Sequence, residues 1–351
     1  MLIQHQLVFK LFIFATLALS YTNNTDGPIY KANKVQLSIL ETKFSLYDKI
    51  VRSAIFSALS YCTKHDNIKS GNLQLACPCT LCTENEDNVT VVKVFRGKVS
   101  GVLFKDDSNA ELILAIKGTT SNSEWLMDFK ILPIPYHFMN NRKRSWKKFI
   151  AINKNCKGCT VHKGFYDGAR EIYDNMFDDF YKLIEQNPEY KISVVGHSLG
   201  GAIAPFIANE LLLAGKSPRL TTFGSPKIGN KVFAKWMNKL WNIQDHYTNI
   251  ESLNVDPIYI RVSHKNDIVP LLPTRQMGYK HSGIDLFFTV SEIPMLEEHI
   301  KLKSSSSTEL NPTPEPFPDF KSKKEFDAAM DSHRVYILRM NQCVAKQFER
   351  F

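Results

Sequence analysis

Tyr190-Lys191-Ile192-Ser193-Val194-Val195, Gly196-His197-Ser198-Leu199-Gly200-Gly201 and Ala202-Ile203-Ala204-Pro205-Phe206-Ile207-Ala208-Asn209-Glu210-Leu211-Leu212-Leu213 follow one another without a break. The first piece is a short β-branched run and reads as a buried strand. The last is apolar around most of its circumference and reads as a largely buried helix. Between them a serine stands in the G-x-S-x-G pattern of a nucleophile elbow. Gly196 and Gly200 are small because side chains there would collide with the neighbouring strand or helix. Such a turn lifts the Ser198 hydroxyl above the sheet, and the helix N-terminus behind it favours developing negative charge. The plainer reading is a glycine-rich turn with an incidental serine, and the strand and helix on either side tell against it. The stretch predicts an α/β fold carrying a nucleophilic serine.

The 351 residues could hold one large α/β domain or two small ones, and 44% hydrophobic content is ample for a sizeable core. Leu11-Phe12-Ile13-Phe14-Ala15-Thr16-Leu17-Ala18-Leu19 is an apolar run of signal-peptide length, with Lys10 before it and small residues at Ala18 and Ser20. It predicts secretion, with cleavage after Ser20. A membrane anchor is the alternative, but the run is short and polar residues follow at once. Asn23 (in Asn23-Asn24-Thr25) and Asn88 (in Asn88-Val89-Thr90) are then usable glycosylation acceptors.

Net charge is +9, densest over Asn141-Arg142-Lys143-Arg144-Ser145-Trp146-Lys147-Lys148. A secreted chain is not expected to meet nucleic acid, so the run reads as a solvated face. Attraction to an anionic lipid interface or cell wall is its functional alternative. Seven cysteines also suit an oxidising compartment. Cys156-Lys157-Gly158-Cys159 lacks a second CxxC at zinc spacing and reads as a local loop-closing disulfide. Cys77, Cys79 and Cys82 crowd one loop, and an odd count leaves one thiol over.

Helical spacing runs from Leu37 to Tyr61. A meander follows through Val91–Phe95, Val99–Phe104 and Leu112–Ile116. A helix is expected from Tyr166 to Glu185. After the elbow come a strand at Arg219–Phe223, a helix at Asn230–Leu240 and a strand at Pro257–Val262. This alternation predicts a mostly parallel sheet covered by helices. The Ser- and Pro-rich residues at about 303–320 predict a mobile surface insertion within a single domain spanning 21–351, after a signal segment at 1–20.

A serine nucleophile needs a base, and an acid to orient that base. In chains with this elbow the order is Ser, acid, His. Asp267 lies in the loop directly after the Pro257–Val262 strand, whereas Asp256 precedes that strand and sits at the wrong end of the sheet. The base is one of His264, His281, His299 and His333. His264 is too near the acid in sequence, and position favours His333.

Leu114-Ala115-Ile116-Lys117-Gly118-Thr119-Thr120, Val161-His162-Lys163-Gly164-Phe165, the GHSLGG, Phe223-Gly224-Ser225-Pro226-Lys227-Ile228-Gly229-Asn230, His264-Lys265-Asn266-Asp267-Ile268-Val269-Pro270 and Gly278-Tyr279-Lys280-His281-Ser282-Gly283 follow in that order. Together they resemble the class 3 (fungal triacylglycerol) lipase family, from about residue 35 to the end apart from the insertion. The resemblance implies an α/β-hydrolase-type fold, a mostly parallel central sheet flanked by helices with a short lid over the site. It implies Ser198 as nucleophile, Asp267 as acid and His333 as base, with His281 on the family's Y-x-H stretch and not the base. Thr119 would supply the first oxyanion contact through its backbone N–H and hydroxyl, and Leu199 the second N–H. Trp125, Leu126 and Phe129 occupy the place of the lid, against a plain core reading. Cys62 with Cys343, Cys77 with Cys82 and Cys156 with Cys159 are the implied disulfides, leaving Cys79 over. Two departures stand out: Lys117 where many members have Arg, and a 286–325 region longer than the family's.

The implied activity is hydrolysis of acylglycerol esters at an oil–water or membrane interface. It would be carried out by a monomer with no obligate protein partner, and the chemistry calls for no metal and no cofactor. A phospholipase A1, a feruloyl-type esterase and an inactive lipase-like surface-binding protein are the alternatives. The apolar lid residues argue against a polar aromatic substrate, and the occupied triad positions argue against inactivity. An apolar lid is costly to expose in water. The rate on a short-chain ester is therefore expected to rise sharply as the ester passes its solubility limit. Exchanging Trp125 and Phe129 for serine should flatten that rise more than it lowers activity on dissolved ester. A smooth saturation curve through the limit in the unaltered chain would overturn the lid.

Overall fold

The β-branched run before the elbow lies in the middle of a nine-stranded sheet. The structure is a computed structural model that describes residues 45–66, 68–76, 88–119, 132–139, 156–303 and 321–344. The expected signal segment, Asn23, Cys77, Cys79, Cys82, the lid residues Trp125, Leu126 and Phe129, the basic run 141–148 and the insertion residues 304–320 lie outside the described residues. Within Leu46–Phe351 the described residues form one compact unit.

In chain order the sheet is built from β1 (Gly71–Asn72), β2 (Val89–Arg96), β3 (Ser100–Asp106), β4 (Glu111–Ile116), β7 (Lys191–His197), β8 (Pro218–Phe223), β10 (Ile258–His264), β12 (Ile284–Phe288) and β13 (Ile300–Lys303). The run β4-β7-β8-β10-β12 is parallel throughout, and the strands at both edges are antiparallel. Its central strands are buried on both faces: every residue of β8 and β10 is buried, and so is all of β7 after Lys191. Strands covered on both sides lose the in–out alternation of half-buried ones, and the polar residues of these strands, Arg219, Thr221, Thr222 and Arg261, are buried as well. A smaller sheet joins β5 (Pro133–Pro135), β6 (Thr160–His162), β9 (Gly229–Asn230) and β11 (Tyr279–Lys280) in the order β11-β9-β6-β5.

The helices follow the sequence with small shifts. The expected Leu37–Tyr61 helix is described as α1, Leu46–Leu59. The expected Tyr166–Glu185 helix starts three residues earlier. It runs as α2 (Lys163–Ile172), a π-helical turn (Tyr173–Phe177) and α3 (Asp178–Gln186). The His162 side chain caps its start by accepting the Phe165 amide. α4 (Leu199–Leu213) is buried over nearly its whole length, as its apolar circumference demands. α5 (Lys231–Leu240) is capped by Asn230 Oδ1, which accepts the Phe233 amide at 2.8 Å. α6 (Lys323–His333) is capped by Ser322 in the same manner.

Part of the overlong 286–325 region is sheet rather than loop. β12 pairs in parallel with β10, and β13 closes the edge antiparallel to β12. Neither strand stood out in the sequence. Ile300-Lys301-Leu302-Lys303 does alternate apolar and charged residues, but its four residues are at the lower limit of that signal.

Cys62 follows α1 and is joined to Cys343, 281 residues away, and Cys156 is joined to Cys159. The long-range link ties the segment after α6 to the first helix. Closing so long a loop restricts the unfolded chain strongly. Removing it with Cys62→Ser and Cys343→Ser together is expected to cost about 2–4 kcal/mol in equilibrium unfolding. An unchanged denaturation midpoint would show that packing alone holds that segment.

Candidate active site

Ser198 sits at φ 59°, ψ −124° between β7 and α4, in a region that side chains other than glycine rarely adopt. Three restraints hold it there. Its amide donates to the Phe223 carbonyl at 2.9 Å, and its own carbonyl accepts the Ala202 amide at 3.0 Å. The third is a close approach: a Cβ on Gly200 would run into the Ile116 carbonyl at the end of β4. Strand register puts Ile116 opposite Gly196 and Phe223 opposite His197, so the ends of β4 and β8 flank the elbow. Thr119 follows two residues after Lys117 and is half-buried, and Leu199 opens α4, where the first amides of a helix have no partner within it.

Asp267 lies in the turn after β10, at the C-terminal edge of the parallel strands, and His333 is the last residue of α6. Both are buried. His333 Nδ1–H donates to the Asp267 carboxylate, at 2.9 Å from Oδ2 and 3.0 Å from Oδ1. The same carboxylate accepts the Val269 amide at 2.9 Å and the Tyr336 hydroxyl. With Nδ1–H given to the carboxylate, the lone pair of neutral His333 is on Nε2. That atom is buried and has no hydrogen bond to another described residue. Gly224, at φ +54°, backs the pair: a Cβ there would lie 2.7 Å from Asp267 Oδ2 and 2.8 Å from His333 Cε1.

The elbow and the His–Asp pair meet through His197. Its ring stacks on that of His333 with centroids 4.5 Å apart. Its Nε2–H donates to the His333 carbonyl at 2.9 Å, which leaves Nδ1 to accept the Tyr61 hydroxyl at 2.7 Å. Gly118 packs against that hydroxyl and against the His197 carbonyl, so the residues leading to Thr119 join the same contact. The structure thus brings Ser198, Asp267, His333, Leu199 and the approach to Thr119 to one end of the sheet.

The other histidines are engaged elsewhere. His264 holds the carbonyls of Lys265 and Ser332, the residue before His333. His281 Nε2 donates to Pro270 O at 2.8 Å, and His299 Nδ1 accepts the Leu296 amide. Asp256 pairs with Arg219 at 2.9 Å, at the N-terminal end of β10. Asn88 is exposed in the turn before β2, as a glycosylation acceptor requires.

Electrostatics sort these groups. Burial alone would raise the Asp267 carboxyl, but the His333 imidazole and the hydrogen bonds from His333 and Tyr336 hold it below the usual carboxylate range. His197 is pushed well below the ordinary histidine range, by burial first and by the neighbouring His333 second. Burial lowers His264 as well, and desolvation holds His281 well down, helped by Arg261 and Lys227. The tyrosine hydroxyls of Tyr61 and Tyr336 are raised by burial, so both remain donors. Sequence reading singled out neither tyrosine, although Tyr336 stands three residues after His333.

The family described as "Lipase (class 3)" matches residues 113–277 of the chain. A Saccharomyces cerevisiae protein named "Putative lipase LIH1" is 29% identical over 283 residues, 75% of this chain and 84% of that protein. "Secreted mono- and diacylglycerol lipase 2" of Gibberella zeae is 31% identical over 194 residues, 54% of this chain and 46% of that protein, so the match spans about half its length. Among solved structures, the nonglycosylated LIP2 lipase of Yarrowia lipolytica superposes with a TM-score of 0.67 and 25% identity, over 84% of this chain and 94% of that one.

Neutral buried histidines carry a pH signature. A histidine whose folded pKa lies below its unfolded value of 6.5 binds a proton more readily when the chain unfolds. His197, His264 and His281 therefore contribute their full stability above that value and lose it as pH falls towards their folded pKa. Asp267 adds its own loss lower still, below the unfolded carboxyl value of 3.8. Denaturant midpoints are expected to be level from about pH 8 to about 7 and to decline between about 6.5 and 5. A level midpoint across that lower interval would show that these histidines are charged within the fold.

Proposed function

We propose, for a chain that belongs to the class 3 lipase family, a secreted ester hydrolase that cleaves acylglycerol esters through an acyl-enzyme on Ser198. The observation that carries the reading is the buried His333–Asp267 pair, stacked through His197 against the elbow that presents Ser198. His333 Nε2 takes the proton from the Ser198 hydroxyl as its oxygen attacks the ester carbonyl. Negative charge gathers on the carbonyl oxygen, where the amides of Thr119 and Leu199 and the N-terminus of α4 receive it. His333 then protonates the departing alcohol. A water molecule, deprotonated by the same nitrogen, releases the fatty acid and restores Ser198. Asp267 holds the imidazole in the Nδ1–H tautomer and stabilises its charged form. These steps draw on side chains, backbone amides and water.

Acylglycerol as substrate is supported by the name of the Gibberella relative, a mono- and diacylglycerol lipase. Secretion is supported by the apolar 11–19 run, by the word "secreted" in that same name, and by the two disulfides among the described residues, which suit an oxidising compartment.

Alanine at Ser198 removes only the hydroxyl from the elbow. Ser198→Ala and His333→Ala are each expected to lower turnover about 1000-fold or more while leaving the melting temperature nearly unchanged. His281→Ala should be far milder. Ser198→Ala retaining turnover within about tenfold of the unaltered chain would end the assignment of the nucleophile. Survival of turnover in His333→Ala, with collapse in a folded His281→Ala, would move the base to His281.

A further inference from the structure

The Phe223-Gly224-Ser225-Pro226-Lys227 segment has a lysine in an unusual position. Lys227 is 5% exposed, and its ammonium donates to two consecutive backbone carbonyls, Pro270 O at 3.0 Å and Leu271 O at 2.7 Å. Its own backbone amide donates to a third, Leu272 O, at 2.7 Å. Part-buried His281, on the chain just after β11, adds a second donor to Pro270 O. These carbonyls belong to and follow the short turn Val269–Leu271, which begins two residues after Asp267. The Val269 amide of that turn is itself a donor to Asp267 Oδ1. The turn is therefore gripped from one side by Lys227 and His281, and from its other side it grips the carboxylate.

We propose that Lys227, assisted by His281, is a positioning residue that clamps the acid-bearing turn and so sets the alignment of Asp267 with His333. The inference rests on the proposed roles of Asp267 and His333. A buried ammonium is expensive unless its protons are bonded, and here backbone carbonyls accept them in a fixed geometry. Three carbonyls in a row cannot shift without breaking several of these bonds together. Gly224, three residues earlier on the same segment, lies against Asp267 Oδ2 and the His333 ring, so the one stretch touches the pair both directly and through the turn. His281 serves the clamp in its neutral form, with Nε2 protonated. Arg261, Lys227 and Arg275 are the charged groups facing it, and all three disfavour the imidazolium.

The clamp acts on catalysis through geometry, and its loss is read in turnover rather than in substrate affinity. In Lys227→Met, with p-nitrophenyl butyrate as substrate, kcat is expected to fall about ten- to a hundred-fold while KM stays within about twofold. Lys227→Arg, which keeps a cation with several donors, should recover most of the loss. A loosened Asp267 stabilises the His333 imidazolium less. The acid limb of the kcat/KM profile should therefore move to lower pH by about half a unit or more in Lys227→Met. A lysine that merely supports the fold would lower stability and leave that limb in place. Lys227→Met with kcat within about twofold of the unaltered chain, or with an unmoved acid limb, overturns the clamp. Should Lys227→Met fail to fold, the decision passes to His281. Gln there keeps an N–H donor and is expected to hold kcat and the limb, whereas His281→Ala is expected to lower kcat about tenfold and shift the limb. A folded His281→Ala that does neither overturns the proposal. Ser198→Ala, run alongside, separates two failures. If it is inactive while Lys227→Met is unaffected, only the clamp is lost; if Ser198→Ala is active, the reading beneath the clamp is lost.

Discussion

A non-glycine residue held at φ 59°, ψ −124° is the constraint around which the C-terminal end of this sheet is arranged. Such a conformation costs on the order of 1–3 kcal/mol and persists only where the surroundings over-determine it. Here the strand before Ser198 is locked into the middle of a parallel sheet, and the helix after it is buried along nearly its whole length. The two meet closely enough that Gly200 touches the end of β4. The strain is thus sustained by a strand and a helix that are buried nearly throughout. Its consequence is a hydroxyl raised above the strand ends, with the positive end of α4 beneath it.

Around that point the buried polar groups form a divided electrostatic environment. Asp267 stays ionised inside the protein because four donor contacts surround it, two from His333 and one each from Tyr336 and the Val269 amide. The neighbouring imidazoles of His197 and His264 are held neutral by the same burial. A single negative charge thus stands among these rings, bonded to His333 through Nδ1–H. Each neutral histidine also has a mechanical task. His197 ties the elbow to the His333 backbone, His264 supports Ser332, and His281 reaches the turn after Asp267.

The pieces of this arrangement are far apart in the chain. Tyr61 reaches His197 across 136 positions, His197 reaches His333 across the same separation, and His333 reaches Asp267 across 66. Cys62, next to Tyr61, is bonded to Cys343, a few residues beyond Tyr336. The same pair of chain segments is therefore joined by a covalent link and by a hydrogen-bonded path through the site. Loss of one leaves the other to hold the C-terminal segment in place.

What the sequence determined by itself was local. The strand, the tight turn and the helix around Ser198 are written in a β-branched run, two spaced glycines and an apolar stretch, and each signal depends on neighbours within a few residues. Asp267 was legible because an acid directly after a strand falls at one predictable edge of a parallel sheet. The resemblance to a known family then carried His333 across the insertion. Tertiary structure decided the rest. That Tyr61 bonds His197 and Tyr336 bonds Asp267, that His197 is a neutral bridge, and that Lys227 holds three successive carbonyls are matters of segments brought together by packing. No periodicity encodes them. The strands Ile284–Phe288 and Ile300–Lys303 escaped for a related reason: both are short, and each is fixed by the edge it pairs with, β10 for the first and β12 for the second. Secondary structure is biased by nearby residues, whereas the partner of a buried donor is chosen by the whole fold.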